Sequence, residues 1–322
     1  MADETANPDT LRRLDRMIWA LVAAITAVVA VAPFVSGFHI AWRSFAPPVA
    51  GSLALCAGAW FYRNWRPDQK LASGLECTAQ LSALAAVGAP LSYLAAAAGA
   101  AIPLQDGLFD AIDRAIGFDW MALLGWLNGQ PLIFAGLRLI YSSLLPQMVI
   151  AVLCLAYSGR LTWLRVFMLA FIIATLITIA ISAMLPAAGV WLHYGLTERD
   201  SVVVPVVRTV WPVFTGLRDG SFRALVAAGA EGVITFPSLH AALAVILIAA
   251  IWPIRVLRLP VLVLNSMLLV ATPIDGSHYL IDVIAGVIVA AVSLAAAHAK
   301  AVGRAATAAA TGKFPQLAAR KQ

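Results

Sequence analysis

Long apolar runs separated by short polar or proline-containing turns dominate the chain. A helix needs about 20 residues to cross roughly 30 Å of hydrocarbon. Eight runs near that length stand at about 18–38, 46–62, 79–101, 134–157, 164–185, 238–254, 257–273 and 279–298, and each predicts a transmembrane helix. The second is short and carries Gly51 and Gly58, so a re-entrant hairpin is the alternative there. The sixth and seventh are joined by a tight basic turn around Arg255 and Arg258. Between the third and fourth runs, at about 104–128, Leu108, Ile112, Ala115 and Ile116 share one face while Asp106, Asp110, Asp113 and Arg114 are polar. With Trp120 and Trp126 added, this predicts a helix lying on the membrane surface. The stretch from about 186 to 237 is the longest connection, too long to be an idle loop. Its apolar phrase VVVPVV (202–207) is too short to span and reads as a re-entrant or surface piece covering a site.

Composition agrees with an all-α, polytopic membrane helix bundle. Of 322 residues, 62% are hydrophobic and 12% charged, against about 25% charged in a soluble domain. The formal charge of +6 would suggest nucleic acid in a soluble chain, but here the basic residues flank apolar segments and bear on orientation instead. With eight spans, Arg12, Arg13, Arg16, Arg63, Arg66, Lys70, Arg160, Arg165, Arg255, Arg258 and the tail's Lys300, Arg304, Lys313, Arg320 and Lys321 fall on one side. The positive-inside bias makes that side cytoplasmic, with both termini, and puts the ends of spans five and seven on the outer face. The polar segment before the first run does not read as a cleavable signal, so that run is taken as a retained span. Cys56, Cys77 and Cys154 are scattered without metal-ligand spacing and read as buried small side chains. The expected division is an N-terminal segment with two additional spans (1–78), a block of six spans (79–298) holding the surface helix and the long outer segment, and a basic cytoplasmic tail (299–322).

The chemistry concentrates at two outer helix ends. His278 and Asp282 in HYLID stand four residues apart, on one helix face. A carboxylate there holds one imidazole nitrogen protonated and leaves the other as a lone-pair donor, which suits a nucleophile. The alternative is a buried pair that only joins helices. In FPSLH, Pro237 and Ser238 open the sixth span, Ser238 as an N-cap. The free N–H groups at Leu239 and His240 suit an anion, and His240 suits a general acid beside a bound phosphate; an interfacial cap with a satisfied histidine is the plainer alternative. Arg218 and Arg223, in LRDGSFRAL just upstream, are candidate phosphate ligands, or headgroup anchors. Arg138, inside the fourth span, must face a polar cavity, pair with a carboxylate or snorkel, and is a candidate substrate or lipid contact together with Tyr279. Asp110 and Asp113 could be a paired-carboxylate site, or a solvated face. A two-histidine, one-carboxylate metal site fits less well, because Asp282 is spaced to orient His278. The reading therefore calls for no metal and no cofactor.

FPSLH followed by HYLID resembles the type 2 phosphatidic acid phosphatase superfamily over about residues 100–298, and within it the branch that holds inositol phosphorylceramide synthases and many bacterial membrane proteins. The resemblance implies a six-helix core and metal-independent phosphoric-ester hydrolysis or phosphotransfer at the outer leaflet, in a bacterium at the inner membrane facing the periplasm. His278 would be the phosphorylated nucleophile, Asp282 its orienting carboxylate and His240 the acid. Ser238, with the backbone at Leu239 and His240, would bind phosphate. The substrate would be a phosphorylated lipid and the acceptor water, a lipid or a polyol, with no nucleic acid and no obligatory protein partner. This chain has Leu239 where the common pattern has glycine, Thr272 where it has arginine, and lacks the upstream Lys-x6-Arg-Pro phrase. These departures favour the synthase-like branch. A non-catalytic lipid-binding or transport protein is the reading from a different class.

Overall fold

The computed structural model describes residues 8–197 and 205–302. In chain order its helices are α1 (Pro8–Ser36), α2 (Trp42–Asn64), α3 (Gln69–Ala98), α4 (Asp106–Ala115), α5 (Trp120–Asn128), α6 (Pro131–Ser142), α7 (Leu144–Tyr157), α8 (Leu161–Met184), α9 (Val190–His193), α10 (Pro205–Asp219), α11 (Leu239–Ile251), α12 (Arg258–Asp275) and α13 (Leu280–Val302). The exception to an all-helical chain is one parallel pair of two-residue strands, β1 (His39–Ile40) and β2 (Ala224–Leu225), in register His39 to Ala224. The basic tail beyond residue 302 lies outside the described residues.

Among the described residues six helices are long and apolar enough to cross a membrane, α1, α2, α3, α8, the Arg255–Asp275 helix and α13, and a seventh span results if α6 and α7 count as one. Hydropathy predicts an unbroken span at 134–157, but α6 and α7 meet at Ser143 with a bend of 46°. The run at 238–254 becomes α11, of 13 residues. At 1.5 Å per residue it is about 20 Å long, less than the hydrocarbon thickness. The second run, expected to be the least secure, forms a 23-residue helix although Pro47 and Pro48 stand in its first turns. The predicted surface helix is two helices, α4 and α5, the latter N-capped by Asp119, whose carboxylate accepts from Ala122 N–H at 3.0 Å.

Two sets of polar contacts fix which helix ends lie together. At one end, Arg165 of α8, 2% exposed, donates to both carboxylate oxygens of Asp15 on α1 at 3.0 and 3.1 Å. Glu76 of α3 accepts from Trp19 of α1 and pairs with Arg63 at the end of α2, and Arg13 donates to the carbonyl of Lys300 on α13. The starts of α1, α3 and α8 therefore meet the ends of α2 and α13. Breaking such a buried pair from one side costs about 3–5 kcal/mol. At the opposite end, His39 N–H and Ala41 N–H donate to the carbonyls of Arg223 and Leu225. These bonds tie the stretch ahead of α11 to the α1–α2 turn. Within the bundle α11 packs against α7, α8, α12 and α13, so its short length is enclosed on several sides.

Candidate active site

Ser238 is the N-cap of α11, its Oγ accepting from Ala241 N–H at 3.3 Å. Its own N–H donates to the carbonyl of Asp282 at 3.0 Å, which joins the start of α11 to the first turn of α13. Gly286 makes this approach possible: a Cβ there would stand 2.4 Å from the Ser238 carbonyl oxygen and 2.9 Å from Ala241 Cβ. Across the junction lies His278, in the loop between α12 and α13. Its Nδ1 is 3.1 Å from Asp282 Oδ2 and its Nε2 is 3.3 Å from Ser238 Oγ. The same carboxylate oxygen accepts from Tyr279 N–H at 2.9 Å. An aspartate buried to 0% exposure is thus held by the group it orients. With Nδ1–H directed at Asp282, Nε2 carries the lone pair. Burial pulls the His278 ring down to about 4, against an opposing backbone contact at Thr235, so the ring is neutral at pH 7.

The His278 loop is strapped from outside. Ser277 has φ 57°, a left-handed conformation that a non-glycine residue adopts at a cost of about 1–2 kcal/mol. Its carbonyl accepts from Val190 N–H at 3.1 Å and its Oγ from Trp191 N–H at 3.1 Å. Gly189, at φ 94°, lies against that carbonyl with no room for a side chain. Asp106 of α4 holds this strap, accepting from Ala188 N–H and Gly189 N–H at 3.0 and 2.8 Å and from the Tyr279 hydroxyl at 3.0 Å. Burial, then the charge of Asp106, raises the Tyr279 hydroxyl above its ordinary range and keeps its proton in place as a donor. Asp113 accepts from Leu280 N–H and Ile281 N–H at 2.6 and 2.9 Å, capping the helix that carries Asp282. Asp110 pairs with Arg114 and accepts from the Tyr194 hydroxyl. Asp106 and Asp113 are therefore fasteners for the His278 loop, whereas Asp110 is engaged by Arg114 and Tyr194.

Removing the Asp113 cap should loosen that loop. Asp113→Ala should lower stability by about 1–2 kcal/mol and reduce turnover by a larger factor than the folded fraction falls. Asp113→Asn, which keeps one acceptor oxygen, should lie between. Thermal unfolding and initial rates on the same preparations check this; equal losses in both would reduce Asp113 to a stability residue.

On the other flank, His240 stacks on Tyr141 of α6, with centroids 4.4 Å apart and planes at 16°. A Cβ on Gly276 would lie 2.7 Å from the Tyr141 hydroxyl and 2.5 Å from His278 Cδ2, so that hydroxyl and that ring edge flank the position of one carbon atom. Arg138 stands one turn before Tyr141 on α6. Among the described residues none of Arg138, Tyr141 and His240 makes a hydrogen bond to the protein. The backbone N–H groups of Leu239 and His240, in the first turn of α11, are likewise without protein acceptors. The Leu239 side chain packs on the apolar core. Donors without protein partners among the described residues thus gather on this flank, with the Tyr141 hydroxyl nearest the His278 ring edge.

Ser238, His278, Asp282 and Tyr279 are joined by hydrogen bonds into one cluster, and His240 approaches it through Tyr141 and Gly276. Arg218 and Arg223 are engaged elsewhere. Arg218 donates to the carbonyls of Gly99, Ala100 and Ile102 at 2.7–3.0 Å, just past α3, where carbonyls lack helical partners. Arg223 donates to the carbonyls of Leu217 and Phe222 and lies over the Phe38 ring at 5.0 Å. None of these contacts reaches the histidines. Asp106, Asp113, Tyr141 and Asp275 are the neighbours that sequence reasoning did not assign to the site. Among the described residues no group of three His, Cys, Asp or Glu side chains is placed to hold a metal ion.

A family model described as the PAP2 superfamily matches residues 108–296. No curated protein matches the chain, and no solved structure does.

Proposed function

The chain belongs to the PAP2 superfamily, and from that premise we propose that it is a membrane lipid phosphatase or phosphotransferase acting through a phosphohistidine at His278. The observation that carries this reading is the Asp282–His278–Ser238 line: a carboxylate on Nδ1, a neutral ring, and Nε2 turned toward the capped start of α11. In the first displacement Nε2 attacks phosphorus, the ester P–O bond breaks, and the departing lipid oxygen takes a proton from His240. The bound phosphate supplies the negative charge that supports a protonated His240. In the second, the acceptor hydroxyl returns a proton to His240 as its oxygen attacks phosphorus, and the P–N bond electrons return to Nε2. The N–H groups of Leu239 and His240 stabilise the phosphoryl oxygens at the helix start, in a water-poor site where such donors act strongly.

Arg138 is the cation we assign to the phosphate, ahead of Arg218 and Arg223, because its guanidinium makes no hydrogen bond to the protein while theirs hold backbone carbonyls. Thr272, where the common family pattern has an arginine, is 0% exposed and donates its hydroxyl to the Leu268 carbonyl at 2.8 Å. A cation on α6 makes up for that loss, a departure we take as support for the synthase-like branch. We further propose that α11 is an eighth, short span. Its start would lie beneath the outer surface, within reach of a lipid phosphate in the outer leaflet, with both termini in the cytoplasm. In a bacterium this is the inner membrane, with the site facing the periplasm.

The test is reconstitution of the full chain in liposomes containing dioleoyl phosphatidic acid, with chelator present. The reading expects release of inorganic phosphate or, with an alcohol added, of the phosphorylated alcohol. Binding of phosphorylated lipids with no turnover across a panel of headgroups would move the protein to the lipid-binding class.

A further inference from the structure

Asp275 is the last residue of α12, three positions before His278. It is 3% exposed, and neither carboxylate oxygen has a hydrogen-bond partner among the described residues. A buried carboxylate left this way costs several kcal/mol unless something else supplies the donors. Arg138 acts on it electrostatically but forms no ion pair with it among the described residues. The next residue is Gly276, whose lack of a side chain lets the Tyr141 hydroxyl and His278 Cδ2 close in on its Cα, so that they stand 2.7 and 2.5 Å from where a Cβ would be. Two oxygen acceptors without donors among the described residues thus lie within electrostatic reach of the Tyr141 hydroxyl, which itself closes on Gly276 together with the His278 ring edge.

The chemistry of these groups restricts what they can bind. A carboxylate repels a phosphate, so Asp275 is unsuited to hold the transferred group itself. It accepts from O–H donors, and Tyr141 can donate to or accept from the same hydroxyl. Arg138, a cation that already acts on Asp275, offsets the repulsion between that carboxylate and a bound phosphate. We propose that Asp275, with Tyr141, forms a hydroxyl subsite that holds the O–H of the acceptor against the phosphoryl group on His278. The inference rests on the phosphohistidine reading and adds the recognition of the second substrate. In the step concerned, the acceptor oxygen, oriented by its hydrogen bond to Asp275, forms the new P–O bond. The P–N bond to His278 breaks with its electron pair returning to Nε2, and the acceptor proton goes to His240. The hydroxyl belongs to water or to an alcohol, and the two are separated by product.

The experiment uses the full-length protein in liposomes, with labelled dioleoyl phosphatidic acid as donor and water alone or added glycerol as acceptor. Phosphohistidine formation and decay are followed by rapid quench in wild type, Asp275→Leu and Asp275→Asn. Asp275→Leu should form phosphohistidine at the wild-type rate and lose it at least ten-fold more slowly. The loss appears in the water arm if the subsite holds water, and in the glycerol arm if it holds an alcohol. In the glycerol arm, higher glycerol should partly restore the rate. Asp275→Asn, with one acceptor oxygen left, should lie between. Neither variant should unfold at a lower temperature than wild type, because each removes an unpartnered buried charge. Wild-type decay in both arms overturns the subsite, as does failure of folded Asp275→Leu and Asp275→Asn to form phosphohistidine. If wild type itself turns over substrate without trapping phosphate, the phosphohistidine reading fails and the subsite falls with it, a result distinct from a normal trap with normal decay in the variants.

Discussion

His278→Ala should abolish turnover, by roughly 10⁴- to 10⁶-fold as for loss of a covalent nucleophile, while the folded protein still assembles in the membrane. On the phosphohistidine proposal the imidazole carries the attacking lone pair, and among the described residues no other side chain hydrogen-bonds to both Asp282 and Ser238. Its removal leaves the scaffold in place: Asp282 still accepts from Tyr279 N–H, Asp113 still caps α13, and Ser277 is still strapped to Val190 and Trp191. Thermal unfolding within a few degrees of wild type, together with absent product release, is the expected pair of results. Asp282→Asn should retain a small part of the activity, since Nε2 survives but loses the carboxylate that fixes its tautomer.

Gly286→Ala has the second largest effect. The added methyl would stand 2.4 Å from the Ser238 carbonyl oxygen, a backbone atom that cannot rotate away. Relief requires α13 to move from α11 by a substantial fraction of an ångström. That motion strains the Ser238 N–H bond to Asp282 and the 3.3 Å approach of His278 to Ser238. Overpacking of this kind costs about 1–3 kcal/mol, and a displacement near 1 Å at a reacting pair can lower the rate by about 10²-fold. Activity should therefore fall well beyond the fraction unfolded. Gly88→Ala is the control, since a methyl there meets nothing within 4 Å; it should leave both readouts unchanged. Equal behaviour of the two variants would mean that the contact of α11 with α13 does not position the site.

The two predictions show which parts of the site could be read from the chain alone. The His278–Asp282 pair is legible because its spacing is one helical turn, and Ser238 because an N-cap is a local feature. The hydrogen bonds of both are found where the spacing and the capping pattern predict them. The surface helix was also legible as an amphipathic stretch, but the task of its acids was not. Asp113 meets Leu280 and Ile281, and Asp106 meets Gly189 and Tyr279, all far along the chain, and nothing in the spacing of either acid announces those partners. Arg218 illustrates a chemical ambiguity. A forked donor suits phosphate oxygens and backbone carbonyls alike, and the sequence does not say that the end of α3 lies within reach.

Two of the predicted spans differ in form for a different reason. Hydropathy sums over a window, so it passes across the bend at Ser143, where α6 gives way to α7. It also lengthens α11 by the apolar residues at its end, so a helix of 13 residues is read as a longer run. Asp275 left a signal that could have been used: a carboxylate closing an apolar run, in a chain with 12% charged residues, is costly wherever it is buried. Its significance depends on having no partner, which only the packed arrangement reveals.

The most direct measurement is rapid quench of wild type and His278→Ala with labelled phosphatidic acid, followed by digestion and location of the label. The account predicts phosphate on Nε2 of His278, acid-labile and base-stable, formed and consumed fast enough to carry turnover, and absent from His278→Ala. Turnover by wild type with no label at His278, or sustained turnover by His278→Ala, would contradict it.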